Sequence, residues 1–322
     1  SLEQFSTLDG VNALNALAGA KPASSGLGTM HLDTLNQLCA KLSEKLLFKT
    51  SKNKDMRLKK CAIKTLAAKS AAGKSKLKKR LLPILKSQVK STSTELRALA
   101  IEGLGDLNEK STYPLLLKAT KDSDASVVAA ATLGLRHVPD SEARLLELAS
   151  HASPLVVAAA LDAMGVQELP SAIPLILKNS ESSDLHIRLA STRALGRLSA
   201  KIAKPKAAFA FYSLRLTDGN ADVRRLALIG LSKSEDERSI QAMASLALDL
   251  DQTVQITAIN LLGASGAQQA IEGASAGLVN SNPTVRRASI VALKKIGGAE
   301  ANAILKRHME KESNKELRSL LN

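Results

Sequence analysis

Tryptophan is absent from this chain, and tyrosine occurs twice and phenylalanine four times in 322 residues. That scarcity argues against an aromatic-lined ligand pocket and leaves little for nucleobases to stack on. Cysteine is limited to Cys39 and Cys61, neither in a catalytic context. No apolar run approaches the ~18 residues of a membrane-spanning helix. His31, His137, His151, His186 and His308 stand singly, without a second ligand three or four residues away, so no metal site is expected. There is no G-x-S-x-G elbow. Ala72-Gly73-Lys74-Ser75 has only the tail of a phosphate-binding loop, with Ala68 where the first glycine belongs. No catalytic residue and no cofactor are expected.

What is present is a repeat. Asp184-Leu185-His186-Ile187-Arg188-Leu189-Ala190 opens a helical pattern whose apolar positions recur at three and four residues. Upstream, Ala172-Ile173-Pro174-Leu175-Ile176-Leu177 reads as a shorter helix with proline tolerated in its first turn. Superposing the Arg188 position gives Arg57, Arg97, Val128, Val157, Arg188, Arg224, Gln255, Arg286 and Arg318, an anchor every thirty or so residues. An aliphatic residue or Met precedes each anchor. Up to the eighth copy a small residue follows three later and Leu or Met seven later, with Lys60 and Lys64 as departures in the first copy. A hairpin this small cannot bury its own apolar face, so the period predicts a stack of copies.

Ile173-Pro174-Leu175 with Ile187-Arg188-Leu189-Ala190, Asp222-Val223-Arg224-Arg225-Leu226-Ala227 and Pro283-Thr284-Val285-Arg286-Arg287-Ala288 resemble the HEAT-like repeat, in the short form of phycobilin lyases. The resemblance implies an all-α fold, a right-handed α-solenoid of about nine hairpins over residues 31–322, with second helices lining a concave face. It also implies that the anchor arginines pair with turn acids such as Asp222, although Arg188 and Arg224 remain candidates for partner binding. Such repeats serve scaffolds, adaptors, lyases and nucleic-acid enzymes alike. HEAT-like glycosylases surround the lesion with tryptophans, and this chain has none.

The charge is uneven. Residues 41–90 hold seventeen Lys and Arg against Glu44 and Asp55, a net of +15, which is the charge of the whole chain. The remaining 28 basic and 28 acidic groups cancel. Lys74, Lys76, Lys78, Lys79 and Arg80 fall in or beside a long connection, and Lys201, Lys204 and Lys206 fall in a second one. These eight are the candidate anion-binding residues. Val128 and Val157 replace arginine in two successive copies; exposed, they would make an apolar partner patch, and buried, they would be core.

Residues 1–30 read as a flexible or loosely docked segment, with Leu8–Ala18 a candidate docking helix and 21–26 a linker. The first residue is Ser1, consistent with a removed leader or with trimming, so exported and cytoplasmic settings stay equally open. A first hairpin of helix Leu32–Phe48, turn Thr50–Lys54 and helix Asp55–Lys69 would put Cys39 and Cys61 at similar height. They would be either a disulfide or two buried thiols. The expected function is a non-catalytic, monomeric scaffold holding a protein or peptide on the concave face, its basic end meeting an anionic surface. A phosphate-backbone binder and a lyase-type subunit are the alternatives.

Overall fold

A computed structural model describes residues 37, 39–71, 75–198, 205–234 and 236–321, and among these there are helices and turns but no strand. The segment 1–30, Lys74, Lys201 and Lys204 lie outside the described residues. The fold is all-α, a solenoid of helical hairpins. Nine second helices follow one another among the described residues: Met56–Ala71, Thr94–Leu107, Ala125–Gly134, Pro154–Val166, Leu185–Leu198, Ala221–Leu231, Gln252–Ser265, Pro283–Ile296 and the shortened Lys315–Leu321. Each is preceded by a first helix, from Glu44–Thr50 to Gly298–Lys311. The chain forms two compact units, residues 1–148 and 149–322. In the first unit, Met56–Ala71 packs on Thr94–Leu107, which packs on Ala125–Gly134. In the second, the helices from Pro154–Val166 to Lys315–Leu321 pack in succession.

Most of the second helices start where an Asx or Ser side chain caps them; at Pro154–Val166 Ser153 makes no such bond. Asp124 accepts from the Ser126 N–H at 2.8 Å, Asp251 from Thr253 at 2.8 Å, and Asn282 from Thr284 at 2.8 Å with Pro283 next in line. Ser43 does the same inside the expected helix Leu32–Phe48, accepting from the Leu46 N–H. The chain therefore breaks at residues 42–43 and restarts as Glu44–Thr50.

Three residues after the anchor, Ala100, Ala131, Ala160, Ser191, Ala227, Ala258 and Ser289 are fully buried, as are the Leu or Met residues seven after it. The first hairpin corrects the register read from the sequence. There Leu58, Ala62, Ile63 and Leu66 occupy the buried positions, which makes Lys59, not Arg57, the anchor. Lys60 and Lys64 are then ordinary exposed residues. Arg57 instead makes a local pair, its guanidinium 2.9 Å from Asp55.

Eight residues after the anchor, glycine lets neighbouring backbones touch. A methyl at Gly165 would lie 2.6 Å from the Ala194 Cα, one at Gly263 2.6 Å from the Ala292 Cα, and one at Gly105 2.9 Å from the Gly134 Cα. Between Leu185–Leu198 and Ala221–Leu231 the fully buried Tyr212 fills this space instead, against Gly230. Burial pushes its phenol pKa upward.

Gly263→Ala should therefore destabilise the protein by about 1–3 kcal/mol, although alanine ordinarily favours a helix by up to about 1 kcal/mol. Gly219→Ala, with nothing within 4 Å of the new methyl, should be near neutral. Urea denaturation of both variants checks the contrast.

Candidate functional site

Four anchor arginines, Arg97, Arg188, Arg224 and Arg286, each bridge two turns. The Nη1 of Arg188 donates to the Ser182 and Ser183 carbonyls of its own turn, at 2.9 and 3.0 Å. Its Nε and Nη2 donate to Asp218 of the next turn, at 2.9 and 3.3 Å. Arg97 repeats this with Ser91, Thr92 and Asp122; Arg224 with Asp218 and Asp249; Arg286 with Asn280, Ser281 and Glu312. The acid also ties its own turn, because Asp122, Asp218, Asp249 and Glu312 each accept from the N–H two residues on. One planar fork thus fixes the spacing of two hairpins, which a lysine could not do.

The acid partner always lies six residues before the next anchor. Asp222, named from the resemblance, pairs instead with Arg225 at 3.1 Å. Where the anchor is Gln255, position 280 is asparagine, and Asn280 donates to the Gln255 side-chain carbonyl at 3.2 Å, an uncharged rung in the same ladder. Where the anchor is Val157, position 182 is Ser182, whose hydroxyl is used by the Asp184 N–H. No countercharge stands there, and valine fills the site.

This geometry alters the partner-binding assignments. Val128 and Val157 are 3% and 6% exposed, so neither offers an apolar docking patch. Arg188 and Arg224 are 20% and 14% exposed and held in the ladder, so they are structural links. A second set of ion pairs runs along the second helices. In the first unit it comprises Lys64–Glu102 and Asp106–Arg136, each at 2.7 Å; in the second, Arg193–Asp162 at 2.7 Å.

The ladder depresses its acids. The Arg97 hydrogen bond holds Asp122 below the ordinary carboxylate range. Burial pushes Asp218 up, but the Arg188 pair and the Asn220 N–H outweigh it and the net shift is downward. Glu312, 1% exposed, receives Arg286, the Asn314 N–H and His308 at 3.0 Å, and falls to about 2, chiefly through the Arg286 hydrogen bond.

The basic connection after the first hairpin is helical. Leu77, Leu81 and Leu85, spaced at four residues, are buried and carry the helix Ser75–Gln88 past the exposed Pro83. Lys78 is 2.8 Å from Glu109, and Arg80 stacks over the Phe48 ring at 4.1 Å. Lys76 and Lys79 are exposed, as are Lys45, Lys49, Lys52 and Lys54 of the first hairpin. Lys206 lies in the helix Pro205–Arg215. Cys39 and Cys61 form a disulfide with their Cα atoms 6.2 Å apart. Among the described residues no cluster of three or more His, Cys, Asp or Glu has metal-holding geometry.

Residues 79–145 and 246–321 match the HEAT repeats family. No curated protein sequence matches the chain. Among solved structures, YibA of E. coli is 19% identical with a TM-score of 0.53, over 86% of this chain and 98% of that one. An engineered protein is 19% identical with a TM-score of 0.48, over 99% and 96%. The CpcE–CpcF complex of phycocyanin lyase from Nostoc sp. is 22% identical with a TM-score of 0.48, over 73% and 94%. The similarity to YibA is one of fold.

Arg224→Gln or Asp249→Asn alone should cost about 1.5–3 kcal/mol, since each strands a largely buried partner. The double variant, copying the Gln255–Asn280 rung, should recover a substantial part of that loss. A double-mutant cycle in urea measures the coupling.

Because the Glu312 pKa is lower folded than unfolded, its stabilising contribution is present above about pH 4.5 and lost as pH falls toward about 2. The urea midpoint should drop across that window, and less steeply in Glu312→Gln.

Proposed function

Taking the chain as an array of HEAT repeats, we propose that it is a non-catalytic scaffold that binds an acidic polypeptide through its cationic first hairpins. The observation carrying this reading is the concentration of the chain's whole net charge in residues 41–90. There Lys45, Lys49, Lys52, Lys54, Lys76 and Lys79 are exposed. Like charges held together on ordered helices raise the local potential and steer an anionic partner. The ion-paired surface of the first unit, with Lys64–Glu102 and Asp106–Arg136, supplies the broader contact on which the partner polypeptide lies.

Nucleic acid is the second reading, since lysines bind phosphates equally well. The aromatic residues weigh against it. Phe48, Phe211 and Tyr212 are buried, and Phe209 lies under Arg238 at 4.0 Å. Bases would find few platforms to stack on. A lyase-type subunit is supported by no residue set in the chain.

Titration of the full chain with fluorescent polyglutamate, with a mixed-sequence single-stranded oligonucleotide and with anionic lipid vesicles tests the proposal. Polyglutamate should bind, and combined Lys45, Lys49, Lys76 and Lys79→Gln should weaken it roughly tenfold at low salt, less as salt rises. Tight oligonucleotide or vesicle binding with none to polyglutamate would replace this reading.

A further inference from the structure

The first hairpin lacks the rung that the ladder gives to Arg97, Arg188, Arg224 and Arg286. Its anchor position holds Lys59, and the ladder position of the following turn, six residues before Arg97, holds Ser91. Both turns are otherwise built to pattern. Asn53 accepts from the Asp55 N–H at 2.8 Å, and the Ser91 hydroxyl accepts from the Ser93 N–H at 3.2 Å, as Asp122 accepts from that of Asp124. The Nη1 of Arg97 rests on the Ser91 carbonyl, as that of Arg224 rests on the Asp218 carbonyl. Only the carboxylate is missing, and a serine hydroxyl offers Lys59 no countercharge.

Charge makes the missing rung matter. Between Lys41 and Ala71 the hairpin carries ten Lys and Arg against Glu44 and Asp55. Cations gathered this closely repel one another and favour the open chain. The pair that reaches the next hairpin, Lys64–Glu102, is 45% and 30% exposed, and a pair so open to water contributes little. Inside the hairpin stands a different kind of link. Cys39, one turn before the helix break at residues 42–43, is bonded to Cys61 in the middle of Met56–Ala71, and both are buried.

We infer that the Cys39–Cys61 disulfide is a redox switch on the cationic hairpin. Oxidised, it holds together the helices that present the lysines; reduced by a dithiol, it lets their mutual repulsion part them and release an acidic partner. The exchange balances. One thiolate of the reductant attacks a sulfur of the pair and forms a mixed disulfide, and the second thiol of the reductant then displaces the chain. The S–S bond of the protein is cleaved, Cys39 and Cys61 gain two electrons and two protons, and the reductant leaves as the disulfide. Both sulfurs are covered in the closed hairpin, so attack follows local opening, for which the break at residues 42–43 provides a starting point beside the bond. The release of a partner rests on the polypeptide-binding reading; the opening of the hairpin does not.

Amide hydrogen exchange and polyglutamate binding are measured on the full chain, oxidised and after treatment with dithiothreitol, with thiols counted by alkylation and mass. On reduction, exchange in Glu44–Thr50 and Met56–Ala71 should rise at least tenfold, the loop of this length allowing up to about a hundredfold. Exchange in Gln252–Ser265 should stay unchanged. Polyglutamate should bind roughly tenfold more weakly, because the competent hairpin is then only partly populated. Cys39→Ser combined with Cys61→Ser should reproduce the reduced behaviour without reductant. Lys59→Arg combined with Ser91→Asp supplies the absent rung and should shrink the redox effect severalfold. Two free thiols in the untreated protein, or first-hairpin exchange that reduction leaves unchanged, overturns the inference. So does equal polyglutamate affinity in the two redox states. An oxidised protein that ignores polyglutamate instead overturns the binding role, and the exchange comparison still decides whether the disulfide governs the hairpin.

Discussion

An arginine fork divided between two turns is the interaction on which this architecture depends. Helices of mostly small and aliphatic residues pack without much directional preference, and a stack of them would slide or rotate at small cost. The ladder removes that freedom. Nη1 fixes the arginine to its home turn, and the remaining edge accepts the next hairpin at one distance and in one plane. The glycines eight residues later set the approach of the backbones, and the fully buried alanines and leucines fill what is left. Each acid also braces its own turn through the N–H two residues on, so the same carboxylate ends one hairpin and locates the next.

Much of this was readable before any coordinate. The period, the small residue at plus three and the leucine at plus seven describe a buried stripe, and burial follows them from Ala100 to Leu293. The acid six residues before the anchor was equally present in the sequence, at 122, 218, 249 and 312. It was missed because Asp222, nearer to Arg224, looked like the obvious partner. A helix side chain two residues away points elsewhere, whereas the acid of the following turn lies in the line of the stack. The covarying pair Gln255 and Asn280 would have revealed the connection without a second sequence.

Other features were hidden for physical reasons. Arg57 sits close to the right place, and its local pair with Asp55 imitates an anchor; only burial of Leu58 and Ala62 exposes the two-residue displacement. In the basic connection charge and Pro83 mask the helix, yet three leucines at helical spacing outweigh both. Tyr212 takes a place that glycine and alanine hold elsewhere, and nothing in its neighbours announces this. The valines at 128 and 157 were open between surface and core, and the missing countercharge opposite Val157 favours core.

The disulfide joining Cys39 to Cys61 spans 22 residues of the hairpin that carries many of the lysines. Hairpins in an array hold their shape largely by leaning on neighbours, so a member that loses a neighbour tends to fray. A covalent loop of this length limits the unfolded alternatives by about 3 kcal/mol, whatever the state of adjacent hairpins. The cationic hairpin thereby has one link between its two helices that its neighbours do not supply.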